Sequence, residues 1–365
     1  MKRIRKIIIS DLHYGKKSSN NIHLKLEVFL LNIIDPKNVD YFIIAGDVYD
    51  KLLSLNSIAT LESLRWLITL GKFCIRWGIK LRILEGTPSH DRKQISVFDL
   101  ICKEALSELD FIYVTELCVI LESDHTCLYI PDEINHSTRE TMGEIYELLE
   151  EYGLTSFDSC VMHGGFKHNI KFGSEDELFN EDEMMSIVRG IIVCGHIHTH
   201  QIYDRIITIG SFERLGFGEN SPKGGLEVIE ILNSKEKHIH FLENKMANIF
   251  DDIMVTTENI DELISMFIKY TIEHKIGDGA NFRLKFSSNN PLLFSNIMVD
   301  NFPNYNFTMF DMGDEEEETI DDKEDDFIII NNITSANIES LLHDKLTIRG
   351  LDNNEIKNIL DILKD

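Results

Sequence analysis

Carboxylates and imidazoles recur in short polar clusters along the first two hundred residues of this chain. Asp11 and His13 stand in Ser10-Asp11-Leu12-His13, and Asp47 follows Gly46. His90 and Asp91 close the loop Gly86-Thr87-Pro88-Ser89-His90-Asp91. His163 opens His163-Gly164-Gly165, and His196 and His198 lie in Gly195-His196-Ile197-His198. Taken singly, each cluster is commoner as a turn than as a ligand set. Their conjunction carries more weight. Alternate residues of an extended segment point the same way, so His196 and His198 can reach one site. Carboxylate and imidazole donors without a thiolate suit Mn2+, Fe or Zn2+ rather than Ca2+.

Something must bring these donors together. Each cluster follows a short apolar run: Ile7-Ile8-Ile9, residues 41–45, 81–84, 160–162 and 191–194, with a further run at 205–209 before Gly210-Ser211. Runs without alternation predict strands buried on both faces. Helical patterns over 23–34, 55–77, 94–108, 137–152 and 178–188 separate them. Strand alternating with helix implies an α/β layered domain, and ligands then gather at the strands' carboxyl ends. Residues 240–310 change character, with a helical stretch from Ile260 to Lys269 and a strand over 281–286, and read as a smaller α+β appendage. Segment 311–326 holds eleven acids and one lysine and reads as a solvated linker. The tail, 327–365, carries two amphipathic helix patterns, about 335–344 and 353–363. In the 55–77 helix, Leu55, Ile58, Leu61, Leu64, Leu67 and Ile68 fit either a dimer face or a cover for the sheet.

Charge and composition narrow the partners. The 365 residues carry a formal net charge of −26, of which the acidic run supplies −10 and the remainder −16. A stand-alone nucleic-acid binder is usually basic, so a polyanionic substrate would need metal ions, local basic loops or a partner to offset the repulsion. The basic residues flank the donor clusters: Lys16 and Lys17, Arg92 and Lys93, Lys167 and Lys171, and Arg214. Loops at one end of a sheet would set them as a positive rim suited to phosphate contacts without base reading. No apolar run approaches the roughly 18 residues of a membrane span. The run 7–9 is too short for a secretory signal. Six cysteines without a CxxC pair read as reduced thiols, so a cytoplasmic protein with no membrane association is expected. His168 is placed on a substrate groove. His125 is read as a surface or core histidine, and Pro131-Asp132-Glu133 as a turn.

The order D-x-H, G-D, H-D, H-G-G, G-H-x-H resembles that of the calcineurin-like metallophosphoesterases. Within them the chain is most similar to SbcD-type nucleases, in bacterial and phage forms. Gly210-Ser211-Phe212-Glu213-Arg214, Phe217-Gly218-Glu219 and Lys223-Gly224-Gly225 resemble the stretch that follows G-H-x-H there. The resemblance implies a four-layer α-β-β-α metallophosphoesterase sandwich over 1–240. It adds a small α+β capping domain over 241–310, the acidic linker 311–326 and a helical tail over 327–365 that binds a partner. It implies two Mn2+ ions, with Mg2+ as the alternative. Asp11, His13 and His198 would hold one ion, His163 and His196 the other, and Asp47 would bridge them. His90 would protonate the leaving oxygen, with Asp91 orienting its ring. The family's Asn ligand in G-N-H-D is missing; the loop is two residues longer, with Ser89 at the Asn position. The implied activity is 3′→5′ exonuclease and single-strand endonuclease in recombination and double-strand-break repair. The implied partners are DNA, an SbcC-type coiled-coil ABC ATPase and a second copy of the chain, in bacterial or phage-infected cytoplasm. Two other readings remain open. One is a small-molecule phosphodiesterase or phosphatase; Gly46-Asp47-Val48-Tyr49-Asp50-Lys51 lacks the Arg-Gly of the protein-phosphatase branch. The other is a scaffold without metals, against which the retained His and Asp donors argue.

Overall fold

The computed structural model describes residues 3–19, 21–122, 125–132, 137–170, 178–231, 236–255, 259–286 and 297–311. They belong to one compact unit, Met1–Met312. Most of the acidic run and all of the tail lie outside the described residues. The strands are β1 Arg3–Ile9, β2 Tyr41–Ala45, β3 Lys80–Leu84, β4 Phe111–Val114, β5 Cys118–Glu122, β6 His125–Ile130, β7 Ser159–His163, β8 Gly165–Phe166 and β9 Leu178–Phe179. There follow β10 Ile192–Gly195, β11 Gln201–Tyr203, β12 Ile206–Thr208, β13 Gly224–Ile231, β14 Lys237–Glu243, β15 Phe250–Val255, β16 Asn281–Phe286 and β17 Asn306–Asp311. The helices are α1 Ile22–Leu31, α2 Ile58–Trp77, α3 Ser96–Ala105, α4 Thr138–Glu151, α5 Glu181–Ile187 and α6 Ile260–Glu273.

Two six-stranded sheets carry the body, ordered β14-β13-β1-β2-β3-β4 and β11-β12-β10-β7-β6-β5. In the first, β1 to β4 run parallel, and β13 and β14 add antiparallel strands beside β1. In the second, β6, β7, β10 and β12 run parallel between antiparallel edges.

The apolar runs are explained by burial on both faces. Ile7 and Ile9 pack with Leu26, Phe29, Trp66 and Phe98 from α1, α2 and α3. Their neighbour Ile8 turns the other way, into a core with Val161 and Val193 of the second sheet. Leu128, Cys160 and Ile192 close a third core with Met142 and Ile145 of α4 and Met184 of α5. Strands packed on both sides cannot alternate apolar with polar residues.

The register delivers the site. Ile9 pairs with Ile44, and Ala45 with Leu84, so the chain leaves β1, β2 and β3 at one end of the sheet. His163 likewise pairs with Gly195 across β7 and β10. The loops go on pairing beyond the strands: Asp11 N donates to Gly46 O, and Leu12 N and His13 N to Asp47 O.

Helix α2 divides its apolar residues between the two readings open in the sequence. Trp66, Leu67 and Leu70 are buried on the first sheet, with Leu64 and Ile68 against them. Ile58 and Leu61, and Leu55 before the helix, are 75 %, 57 % and 68 % exposed, so among the described residues nothing covers this end. Ser57 caps the helix by accepting from Thr60 N. Residues 250–311 contain a three-stranded parallel sheet, β15-β16-β17, with its own core of Val255, Leu263, Phe267, Phe282 and Leu284. All six cysteines are free thiols. Among the described residues no helix is long and apolar enough to cross a membrane.

Candidate metal centre

The sharp exits from the strands require unusual backbone. Asp11, His13, Asp47 and His196 all take positive φ, between 48° and 82°. Such values are uncommon outside glycine and recur where the surrounding structure imposes them. Gly46, at φ 86°, makes the turn before Asp47, and a Cβ there would fall on His163 Nδ1. A Cβ on Gly195 would strike Ala45 O, so this glycine lets the two sheets' loops approach.

The donors converge in three overlapping groups: Asp11, His13 and His198; His13, Asp47 and His90; Asp47, His163 and His196. His13 Nε2 lies 3.2 Å from His198 Nε2, and each lies within about 4 Å of Asp11 Oδ1, at 4.0 and 3.8 Å. Asp47 lies between the outer groups, with Oδ1 3.3 Å from His163 Nε2 and Oδ2 3.8 Å from His13 Nε2. His90 Nδ1 donates to Asp47 Oδ2 at 3.0 Å, leaving its Nε2 as the second functional nitrogen.

Asp11 and Asp47 are at most 1 % exposed, and among the described residues their ion-pair partners are histidines alone. Buried charges need pairing or a metal. Burial resists ionisation of Asp47, but His163, His90 and His13 hold its carboxyl well below the usual range. Burial likewise opposes a charge on His163, yet Asp47 beside it lifts the imidazole to about 10. The His163 imidazolium thus stands in for a cation, and a divalent ion fits the same place by displacing its proton.

Hydrogen bonds behind the rings set which nitrogen faces inward. His163 Nδ1 donates to Ala45 O at 2.7 Å, and His198 Nδ1 to Glu219 Oε1 at 3.1 Å. Both leave Nε2 toward the carboxylates. His13 Nδ1 lies 3.3 Å from Asp50 Oδ1 without hydrogen-bond geometry. His196 presents Nδ1 instead, 3.3 Å from Thr87 Oγ1.

Three expectations change. Ser89 was expected beside the second ion, but in this loop it is Thr87 that faces the donors. Its hydroxyl is 3.3 Å from His163 Nε2 and 3.2 Å from Asp47 Oδ2, and its N–H donates to Asp47 Oδ1 at 2.6 Å. Ser89 is exposed, and its carbonyl accepts from Arg92 Nε. Asp91 has a different task from orienting His90: it accepts from Tyr49 N at 2.8 Å and Gly86 N at 2.9 Å, tying two site loops together. Burial, with Asp47 nearby, pushes its carboxyl well above the usual range. Asp132 is more than a turn residue. Burial raises it to about 6, and its field acts on His163, Asp47 and His90.

The expected rim is uneven. Lys17, Arg92, Lys93 and Lys167 are exposed, and Lys16 Nζ lies 3.8 Å from Asp50 Oδ1. Lys171 lies outside the described residues. Arg214 is turned inward: Nε donates to Glu219 O at 2.8 Å and Nη1 to Asn248 O. Asn248 precedes β15, so Arg214 ties the site to the third sheet rather than offering a free phosphate contact. His168 Nδ1 donates to Glu181 Oε1 and its ring stacks on Tyr203.

Sequence reasoning missed Thr87 as a donor and the supporting Glu219 and Lys223. The signal for Thr87 was its position directly after Gly86. Glu219 and Lys223 were visible as a pattern, but nothing in it said what they touch.

Residues 4–200 match the family described as calcineurin-like phosphoesterase. No curated protein matches the chain. One solved structure aligns over 66 % of this chain and 100 % of its own, at 10 % identity and a TM-score of 0.40. A protein of unknown function from Aquifex aeolicus aligns over 48 % of this chain and 83 % of its own, at 14 % identity and a TM-score of 0.25.

Proposed function

Because this chain belongs to the calcineurin-like phosphoesterase family, and so to a family of metal-dependent hydrolases, we propose that it is the nuclease subunit of a recombination and double-strand-break repair complex. It would cleave DNA phosphodiesters as a 3′→5′ exonuclease on duplex ends and as an endonuclease on single strands. The observation that carries the hydrolytic reading is the pair of donor groups meeting at Asp47. The DNA reading is supported by the SbcD-like residues that follow His198 and by the additional sheet over 250–311. The three stacked cores suit a four-layer α-β-β-α sandwich, with that sheet as its cap.

Asp11, His13 and His198 would hold one ion, Mn2+ or Mg2+, and His163 and His196 with the Thr87 hydroxyl the other, Asp47 serving both. Two such ions supply Lewis acidity to the phosphodiester and stabilise the attacking and leaving oxygens. The protein's own part begins with His90. Its Nδ1–H is held by Asp47, so its Nε2 can carry the proton given to the leaving 3′ oxygen. Lys17, Arg92, Lys93 and Lys167 would position the phosphate backbone. The exposed start of α2 would pair two copies, and the tail over 327–365 would dock an SbcC-type ATPase.

Release of nucleotides from end-labelled duplex DNA, with and without Mn2+, tests this. Mn2+-dependent release supports it. Hydrolysis of a small phosphodiester with no cleavage of DNA would replace it with a small-molecule phosphodiesterase.

A further inference from the structure

We propose that Glu219, held by Lys223, is the positioning residue that fixes His198 in the orientation the metal centre requires. This rests on reading Asp11, His13 and His198 as metal ligands.

The other two members of that group are enclosed: Asp11 is 0 % exposed, with His196 N donating to it at 3.2 Å, and His13 is 1 % exposed. The His198 side chain is 27 % exposed, so packing leaves its ring freer. A hydrogen bond does the remaining work. His198 Nδ1 donates to Glu219 Oε1 at 3.1 Å, which leaves Nε2 beside Asp11 and His13. The other oxygen of Glu219 is anchored three ways. Lys223 Nζ lies 2.6 Å from it, Leu215 N donates at 3.0 Å and Ser211 Oγ at 3.5 Å.

Lys223 has no exposed side-chain surface, and its ammonium is used up inside. Besides Glu219 it donates to His198 O at 2.9 Å and Ser211 Oγ at 2.8 Å. One lysine thus grips the backbone of His198 while the carboxylate it neutralises grips the ring. A buried ammonium is costly without such partners. Arg214 adds the last tie, its Nε donating to Glu219 O. Carboxylates behind ligating histidines fix tautomer and ring direction, and losing one typically costs 10–100-fold in metal affinity. Glutamine cannot take over. An amide that accepts from His198 Nδ1–H turns its NH2 toward Leu215 N and Lys223.

The test is Mn2+ calorimetry on the full chain. The wild type should take up two ions. E219Q should bind one of them roughly 10–100-fold more weakly and the other unchanged. In a His198→Ala background the same substitution should add nothing, because its only route to the metal is gone. Unchanged affinities in E219Q, or an equal loss in both backgrounds, would overturn the proposal. A wild type that takes up no Mn2+ would instead overturn the metal centre, and this role with it. If E219Q does not fold, nitrogen NMR of the wild type loaded with diamagnetic Zn2+ decides. A proton on His198 Nδ1 supports the proposal, and its absence there refutes it.

Discussion

His90 is the residue whose role divides the readings most cleanly. It lies within ligand distance of His13 and Asp47, yet its Nδ1 is committed to Asp47. His90→Ala should keep both ions, by metal analysis, while turnover falls 10²–10⁴-fold, the usual cost of a lost general acid. Loss of an ion with the activity would make His90 a ligand. At the neighbouring loop, Thr87→Asn should tighten the second ion in a Mn2+ titration, since an amide oxygen reaches further than a hydroxyl. Ser89→Ala should leave the titration unchanged. The seven Asp and His donors were legible because each follows an apolar run. Thr87 was not, because the order of residues alone does not say which side chain of the loop 86–91 turns toward Asp47 and His163. Asp91 was misjudged for a related reason: adjacency to His90 suggested contact, whereas its carboxylate turns back to the loops that follow β2 and β3.

The strands were legible where burial is two-sided. Strand β6 was not singled out, although all six of its residues are buried. Its His125-Thr126 start looks like a loop, and partners on the facing strands make it strand. Strands β13 and β14 lie beyond the metal motifs, and only their pairing beside β1 shows that they complete the first sheet. The root of the third sheet is joined to the body by a buried pair. Glu213, 0 % exposed, pairs with Lys25 of α1 and accepts from Asn248 N at 2.5 Å. Glu213→Ala should cost about 3–5 kcal/mol in urea unfolding of the metal-free protein, because Lys25 is left buried without its counter-charge. A loss under 1 kcal/mol would mean that Lys25 finds water instead. Ile58→Asp, at a position 75 % exposed, should shift stability by no more than about 0.5 kcal/mol. If the start of α2 joins two copies, the same substitution should turn a dimer into a monomer on a sizing column.

Across the whole molecule, a polar knot joins the two sheets near the amino ends of their parallel strands, away from the candidate metal ligands. Lys6 of β1 donates to Glu230 of β13 at 2.7 Å and to Ser159 of β7 at 2.8 Å, and lies 3.3 Å from His125 Nε2 of β6. Burial, with the Lys6 charge, pushes His125 down to about 4 from an ordinary 6.5. The unfolded chain therefore binds the extra proton first. The stability this neutral histidine contributes is present above pH 6.5 and is lost as pH falls toward 4. The loss approaches about 3 kcal/mol, at 1.4 kcal/mol per unit. Melting temperature should fall over that window in the wild type and less in His125→Asn; parallel curves would remove His125 as the cause. The coming together of the two sheets has one more consequence. His13 and His198 face each other across 185 residues of chain. At roughly 5–20 residues per second, a ribosome that has made His13 needs about ten to forty seconds more to reach His198. Throughout that interval the first donors exist without the last. If Asp11, His13 and His198 hold an ion, the emerging polypeptide cannot close that group around it, and loading the centre comes late in the protein's own manufacture.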